Sequence, residues 1–270
     1  PDASITLLCK KQYVDFLESL GLSETVLCLP KEKGFGYFSS ALKWRKNYPD
    51  TMLVLTNSLR GDLEAFLIGA KLRIGMVRKY WRPLLNATWE ASREALESHQ
   101  ARLWEGLLRN FGLQEELQLQ PLHSRGNDRR PSDSILRVGI APGSSNTPGK
   151  RFPVKSWIEI CEILSRDLHG SKVSIEIFGT NQDKSLCREI KKALPEGSCI
   201  DYAGQTALIE LMDHFRHLDV LVCNDSGAMH LANAIGTPVV AIFGPTDPAI
   251  TGPIFEAPIA KVQSAPGEIM

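Results

Sequence analysis

Short β-branched or leucine-rich runs alternate with amphipathic stretches of helix length: SITLLC (4–9), a helical pattern over 11–20, TVLCLP (25–30), a second over 37–46, TMLVLT (51–56) and a third over 60–69. Strands spaced by helices predict βαβ units, because a parallel connection has to carry the chain back along the sheet. A longer helix is expected over 88–112, where Trp89, Leu96, Leu103, Leu107, Leu108 and Phe111 recur at spacings of three, four or seven. Apolar content then almost vanishes in PLHSRGNDRRPSDS (121–134), which has the composition of a linker. Beyond it the alternation resumes: ILRVGIAP (135–142), a helix over 153–168, KVSIEIFG (172–179), a helix over 182–193, SCIDYA (198–203), a helix over 206–216, DVLVCN (219–224), a short helix over 227–235 and PVVAIFG (238–244). The pattern predicts an α/β chain with a Rossmann-like domain over 1–120, a linker over 121–134 and a second, doubly wound Rossmann-like domain over 135–270. Two such domains are expected to face a cleft, with ligands at the carboxyl ends of the strands.

Composition narrows the function. In 270 residues, lysine plus arginine equals aspartate plus glutamate at 31 each, so no global field recruits nucleic acid or an anionic membrane. Any anionic ligand has to be held locally. The six cysteines include no C-x-x-C pair and mostly lie in apolar runs, as expected of buried thiols in a reducing compartment. No apolar stretch approaches the ~20 residues that span a bilayer, and the chain opens on Pro-Asp rather than a basic and then hydrophobic leader, so a cytoplasmic location is expected.

Candidate chemistry gathers at strand ends. In NDSGAMHLANAIGTPVVAIFGPT (224–246) a strand ends, Asn224, Asp225, Ser226 and Gly227 turn the chain, and a helix of small residues begins at once. Free backbone N–H groups and the positive end of the helix dipole make such a turn an anion site, and Gly227 lets a phosphate approach the backbone. His230 lies one turn further on. The same turn in isolation also describes a helix capped by Asp225 or Ser226, with His230 packed inside. A second loop, APGSSNTPGKRFP (141–153), offers Ser144, Ser145 and Thr147 as donors and Lys150 or Arg151 as cations for a diphosphate. Its spacing is not that of a Walker A loop, and a Gly-Ser-rich loop with a lysine, taken alone, is more often an ordinary solvated connection. No D-x-D motif is present to hold a metal ion.

Together, NDSGAMHLANAIGTPVVAIFGPTDP and Lys150-Arg151-Phe152-Pro153 resemble the donor-binding half of the lipopolysaccharide heptosyltransferases of glycosyltransferase family 9, inverting enzymes of the two-Rossmann GT-B architecture. The segment LTNSLRGDLEAFLIGAKLRIG (55–75) is similar to that family's acceptor-side motif, nearer the second heptosyltransferase than the first. The resemblance implies donor binding by Ser144, Ser145, Lys150, Thr180, Asp225, Ser226, Gly227 and His230, with Lys150 stabilising the leaving group. It assigns Asn57, Ser58 and Arg60 to the acceptor side. For those three the ordinary alternatives are a helix cap and a solvated arginine.

The implied reaction is transfer of heptose from ADP-heptose to the lipid A–Kdo inner core at the inner face of the bacterial inner membrane. It uses no cofactor, no metal, no nucleic acid and no transmembrane segment. The resemblance also places the family's catalytic aspartate in a βα unit ahead of Pro1, and a further strand and helix beyond Gly252-Pro253. Within 1–270, Asp62 and Asp225 are the carboxylates nearest to standing in as base. The alternatives are a related GT-B enzyme with another nucleotide sugar and a non-catalytic sugar-nucleotide binder. A nicotinamide dehydrogenase is disfavoured, since no G-x-G-x-x-G follows the first strand of either half.

Overall fold

A computed structural model of the chain describes residues 3–30, 35–47, 49–77, 81–115, 117–122, 135–144, 151–166 and 172–263. It divides into two compact units, Pro1–Gln118 and Leu119–Met270. Most of the expected linker, 123–134, lies outside the described residues.

In the first unit β1 (Thr6–Cys9) and β2 (Thr25–Cys28) pair in parallel around α1 (Val14–Ser19), and α2 (Phe35–Ala41) follows. A separate parallel sheet holds β3 (Thr51–Val54), β4 (Leu72–Val77) and β5 (Ala87–Glu90) in that order, with α3 (Leu59–Ile68) crossing from β3 to β4. Then come α4 (Arg93–Glu97) and α5 (Gln100–Asn110). The single helix expected over 88–112 is therefore replaced by a strand and two helices. Thr88 and Trp89 suit a pleated strand, and Ser92 caps α4 by accepting from the Ala95 amide at 3.2 Å. The periodicity misleads because Trp89 reaches the core of Met76, Leu103 and Leu107 from the sheet side, with its ring against Gly106 of α5.

The second unit is one parallel sheet of six strands: β6 (Ile135–Ala141), β7 (Lys172–Ile177), β8 (Cys199–Asp201), β9 (Val220–Asn224), β10 (Val239–Phe243) and β11 (Ile259–Gln263). Their order, β11-β10-β9-β6-β7-β8, is the doubly wound one, with its reversal between β6 and β9. The crossovers are α6 (Val154–Ser165), α7 (Lys184–Ala193), α8 (Leu208–Arg216), α9 (Gly227–Ala234) and the short α10 (Pro248–Thr251). A strand thus does follow Gly252-Pro253 within this chain, where the resemblance had placed it beyond the end. Its run IAKVQ is mostly exposed, so no apolar alternation advertises it.

The core of this unit packs Val138, Ile140, Trp157, Ile175, Ile177 and Ile190 with the buried thiols of Cys161, Cys187 and Cys199. Burial pushes the Cys161 and Cys187 thiols up to about 12, and raises Cys223 as well. Cys9 and Cys28 differ from the expectation, being half-buried and exposed. Among the described residues no helix is long and apolar enough to cross a membrane.

Candidate functional site

The β6/β9 pairing brings the two sequence-marked loops of the second unit together at the carboxyl edge of the sheet, where β6 and β9 lead outward in opposite directions. Asn224, fully buried at the end of β9, joins them. Its Nδ2 donates to the Pro142 carbonyl at 2.7 Å, and its Oδ1 accepts from the Phe152 amide at 3.3 Å. Asp225 is next in sequence and buried. Its Oδ2 accepts from the hydroxyls of Thr246 at 2.6 Å and Thr251 at 3.3 Å, which ties the turn to the segment after β10.

That leaves Ser226 as the N-terminal residue of α9, and its side chain makes no capping bond. Its Oγ is buried and has no hydrogen-bond partner among the described residues. A buried hydroxyl without a partner costs about 1–3 kcal/mol, an expense a folded chain keeps where something else completes it. Gly227 follows with ordinary negative φ, and a Cβ built there meets nothing within 4 Å. Among the described residues neither backbone conformation nor packing requires this glycine. The open space lies over the first amides of α9, which have no partners inside the helix. His230 is exposed on that first turn.

In the other loop, Ser144 is buried after β6 and its carbonyl accepts from Arg151 Nε at 3.2 Å. Ser145 and Lys150 lie outside the described residues. Thr180 is exposed after β7, its hydroxyl donating to Asp183 Oδ2 at 2.6 Å and its amide to the same oxygen at 2.9 Å. Asp183 is buried, and a Cβ on Gly143 would come within 2.5 Å of its carboxyl carbon. The glycine after β6 thus allows the loops after β6 and β7 to close on each other.

In the first unit Ser58 is the N-cap of α3, its Oγ accepting from the Gly61 amide at 3.2 Å, so the ordinary alternative describes this residue. Asp62 is 1% exposed and held in a two-point ion pair with Arg82, one arm of which, Nε to Oδ2, is 3.0 Å. The pair gives Asp62 a structural task, since it is the buried partner of a buried guanidinium. The remaining donors of Arg82 reach Thr56 O at 2.6 Å, Met76 O at 2.7 Å and Asn57 Oδ1 at 3.3 Å, pinning the ends of β3 and β4. Arg60 is exposed, with its guanidinium 4.0 Å over the Tyr37 ring and its Nε 3.1 Å from Glu64 Oε1. Tyr37 donates its hydroxyl to the same oxygen. Burial, then that bond to Glu64, pushes the Tyr37 phenol above its ordinary value.

A sequence model of glycosyltransferase family 9 (heptosyltransferase) matches residues 40–264. The chain belongs to this family. It is 35% identical over 122 residues to the lipooligosaccharide heptosyltransferase 2 of Haemophilus influenzae, an alignment covering 44% of this chain and 34% of that protein. To the lipopolysaccharide heptosyltransferase 2 of Escherichia coli it is 29% identical over 226 residues, 78% of this chain and 64% of that protein. The chain therefore spans between a third and two thirds of the length of these relatives. The solved structure of the Escherichia coli ADP-heptose LPS heptosyltransferase II matches with a TM-score of 0.79 at 25% identity, covering 99% of this chain and 83% of that one. The α/β fold of two Rossmann-like units is thus the GT-B fold of the family.

The family motif contains Asn224 and Thr246 but not the contacts they make, which run 21 to 82 residues away in sequence, and Thr251 lies beyond the motif. Arg82 stands in an unremarkable Trp-Arg-Pro run, and only the fold shows what it holds. Glu64 alone carried a signal, since it stands four residues after Arg60 on one helix.

Proposed function

We propose that this chain carries out an inverting transfer of heptose from ADP-heptose to the inner core of lipopolysaccharide. The observation that carries the reading is the start of α9: an uncapped helix end, a buried Ser226 hydroxyl without partner and a glycine that only a ligand would need. These stand at the strand-order reversal, where doubly wound sheets take nucleotides. The diphosphate lies against the Ser226–Gly227 amides and hydroxyl, with Lys150 and Ser145 brought up from the loop after β6 and Ser144, Thr180 and His230 around it. As the glycosidic bond breaks, negative charge grows on the departing diphosphate. The helix dipole and the amides are set at that charge before it forms, and Lys150 is the cation assigned to it, which lowers the barrier without a metal bound by paired aspartates or a cofactor. Asp225, oriented by Thr246 and Thr251, stands beside the sugar rather than the phosphates.

The acceptor is the lipid A–Kdo core, received by the Asn57–Arg60 end of the first unit. A lipid-borne acceptor places the reaction at the cytoplasmic face of the inner membrane, with the chain as a peripheral visitor. The deciding experiment measures sugar transfer from ADP-heptose to a heptose-deficient core acceptor, together with calorimetric binding of ADP, UDP and GDP. Preference for ADP with transfer supports the reading. Tight binding without transfer would leave a sugar-nucleotide binder, and preference for UDP or GDP would change the donor.

A further inference from the structure

Cys9 and Cys28 have no task in the transfer reaction as proposed, and the fold sets them side by side. Each is the last residue of its strand, and β1 and β2 pair in parallel with Cys9 opposite Cys28. The Leu29 amide donates to the Cys9 carbonyl at 2.7 Å, so the ladder still holds one residue past the pair. Partners in register on neighbouring strands turn their side chains to the same face, with Cα atoms about 4.8 Å apart. A disulfide joins Cα atoms roughly 4.4–6.8 Å apart, so two thiols in this register need little backbone movement to bond. Their nearness is felt electrostatically as well: burial first, then the adjacent Cys28 and Glu18, raises the Cys9 thiol above its ordinary value. Exposure separates the two, since Cys28 is exposed and Cys9 half-buried, whereas Cys161, Cys187, Cys199 and Cys223 are all buried. A reagent in solution therefore meets Cys28 first, with Cys9 beside it.

We propose that Cys9 and Cys28 are a redox-sensitive pair, closed into an intramolecular disulfide by a low-molecular-weight disulfide such as oxidised glutathione. The Cys28 thiolate attacks the oxidant, a bond forms between Cys28 Sγ and one glutathione sulfur, and the other glutathione leaves as its thiolate. Cys9, once deprotonated, attacks Cys28 Sγ and displaces the second glutathione. The protein gives up two electrons and two protons, and the oxidant takes them as two thiols. Burial leaves Cys9 little thiolate at neutral pH, so the closing step waits on its deprotonation. The bond has a mechanical consequence, because β1 and β2 form a sheet of only two strands, the least self-supporting kind. A link at their carboxyl ends closes the chain between residues 9 and 28 and fixes the point from which the segments after both strands set out. A spacing of about 4.8 Å lies at the short end of the disulfide range, and a strained bond is readily reduced. The pair is thus reversible, open where thiols are in excess and closed where small disulfides accumulate. None of this depends on which sugar or acceptor the chain handles.

The test incubates the reduced, native full chain with oxidised glutathione, quenches with acid, and reads intact mass and a peptide map. The expected product has lost two hydrogen masses, carries no glutathione and links the Cys9 peptide to the Cys28 peptide, while the four buried thiols stay free. Cys9→Ser should stop at one glutathione on Cys28, and Cys28→Ser should lose the link and the rapid adduct together. The parent's own map decides the pairing even where a serine variant fails to fold. Hydrogen exchange gives the structural readout: the amides of β1 and β2 should slow on closure and recover with dithiothreitol. A lasting glutathione adduct on the parent, a link that forms only in denaturant, or a link to any other cysteine overturns the proposal. So does closure that leaves exchange in β1 and β2 unchanged.

Discussion

Gly227 and Asp62 show how one residue's surroundings decide its task. A Cβ at Gly227 meets no atom of the described residues within 4 Å, so Gly227→Val should leave the melting temperature of the second unit within a degree or two while ADP binding, read by calorimetry, disappears. General collapse on melting would make the glycine a packing residue and remove the main support for the donor site. Asp62 is the reverse case, because its substitution strands the Arg82 guanidinium in a buried position. Asp62→Ala should lower the unfolding free energy of the first unit by about 3–5 kcal/mol, the usual result of breaking a buried pair from one side. Were Asp62 the base, the same change would depress kcat and leave denaturant unfolding untouched. The turn at 224–227 was legible in the sequence because strand, turn and helix follow one another within a few residues. The Asp62–Arg82 pair was not, since it spans 20 residues and nothing local marks Arg82 as buried.

At the scale of elements, α5 is anchored through one carboxylate. Glu105 accepts from Arg102 at 2.7 Å, from Arg109 at 2.9 Å and from the Leu117 amide at 3.4 Å, so it ties the helix to the chain that follows it. The bonds from Arg102 and Arg109 hold its carboxyl at about 2, well below the ordinary 4.5. A depressed folded-state value means that the stabilisation is present above about 4.5 and is lost as pH falls from there toward 2. Thermal melts of the parent and Glu105→Gln between pH 7 and 2 should therefore differ at neutral pH and converge across that window. A constant gap down to pH 2 would show that the carboxylate is not the titrating link. The alternation of apolar runs predicted most strands and crossovers of the second unit to within a few residues, because strands buried on both faces read as continuous apolar runs. It failed for β4, β5 and β11. The first follows a glycine-ended helix with a mixed run, the second merges its Trp89 into a helical period, and the third faces solvent.

For the molecule as a whole, the two units differ in a way that lets each be followed separately. All four cysteines of the second unit, Cys161, Cys187, Cys199 and Cys223, are buried, whereas the first unit carries a half-buried Cys9 and an exposed Cys28. Alkylating reagents attack thiolates, and burial raises the Cys161 and Cys187 thiols to about 12, so these react only when the second unit opens. Native-state labelling followed by mass spectrometry should accordingly show Cys28 reacting quickly and four thiols reacting slowly. If the nucleotide binds across the loops after β6 and β9, ADP at about 100 times its dissociation constant stabilises the closed second unit by ~2.7 kcal/mol and slows those four thiols roughly 100-fold. Labelling of Cys9 and Cys28 should not change if the nucleotide is held by the second unit alone. Uniform protection of all six thiols would mean that ADP holds both units at once, and no protection anywhere would remove the nucleotide from the crevice where Ser226 and Gly227 await it.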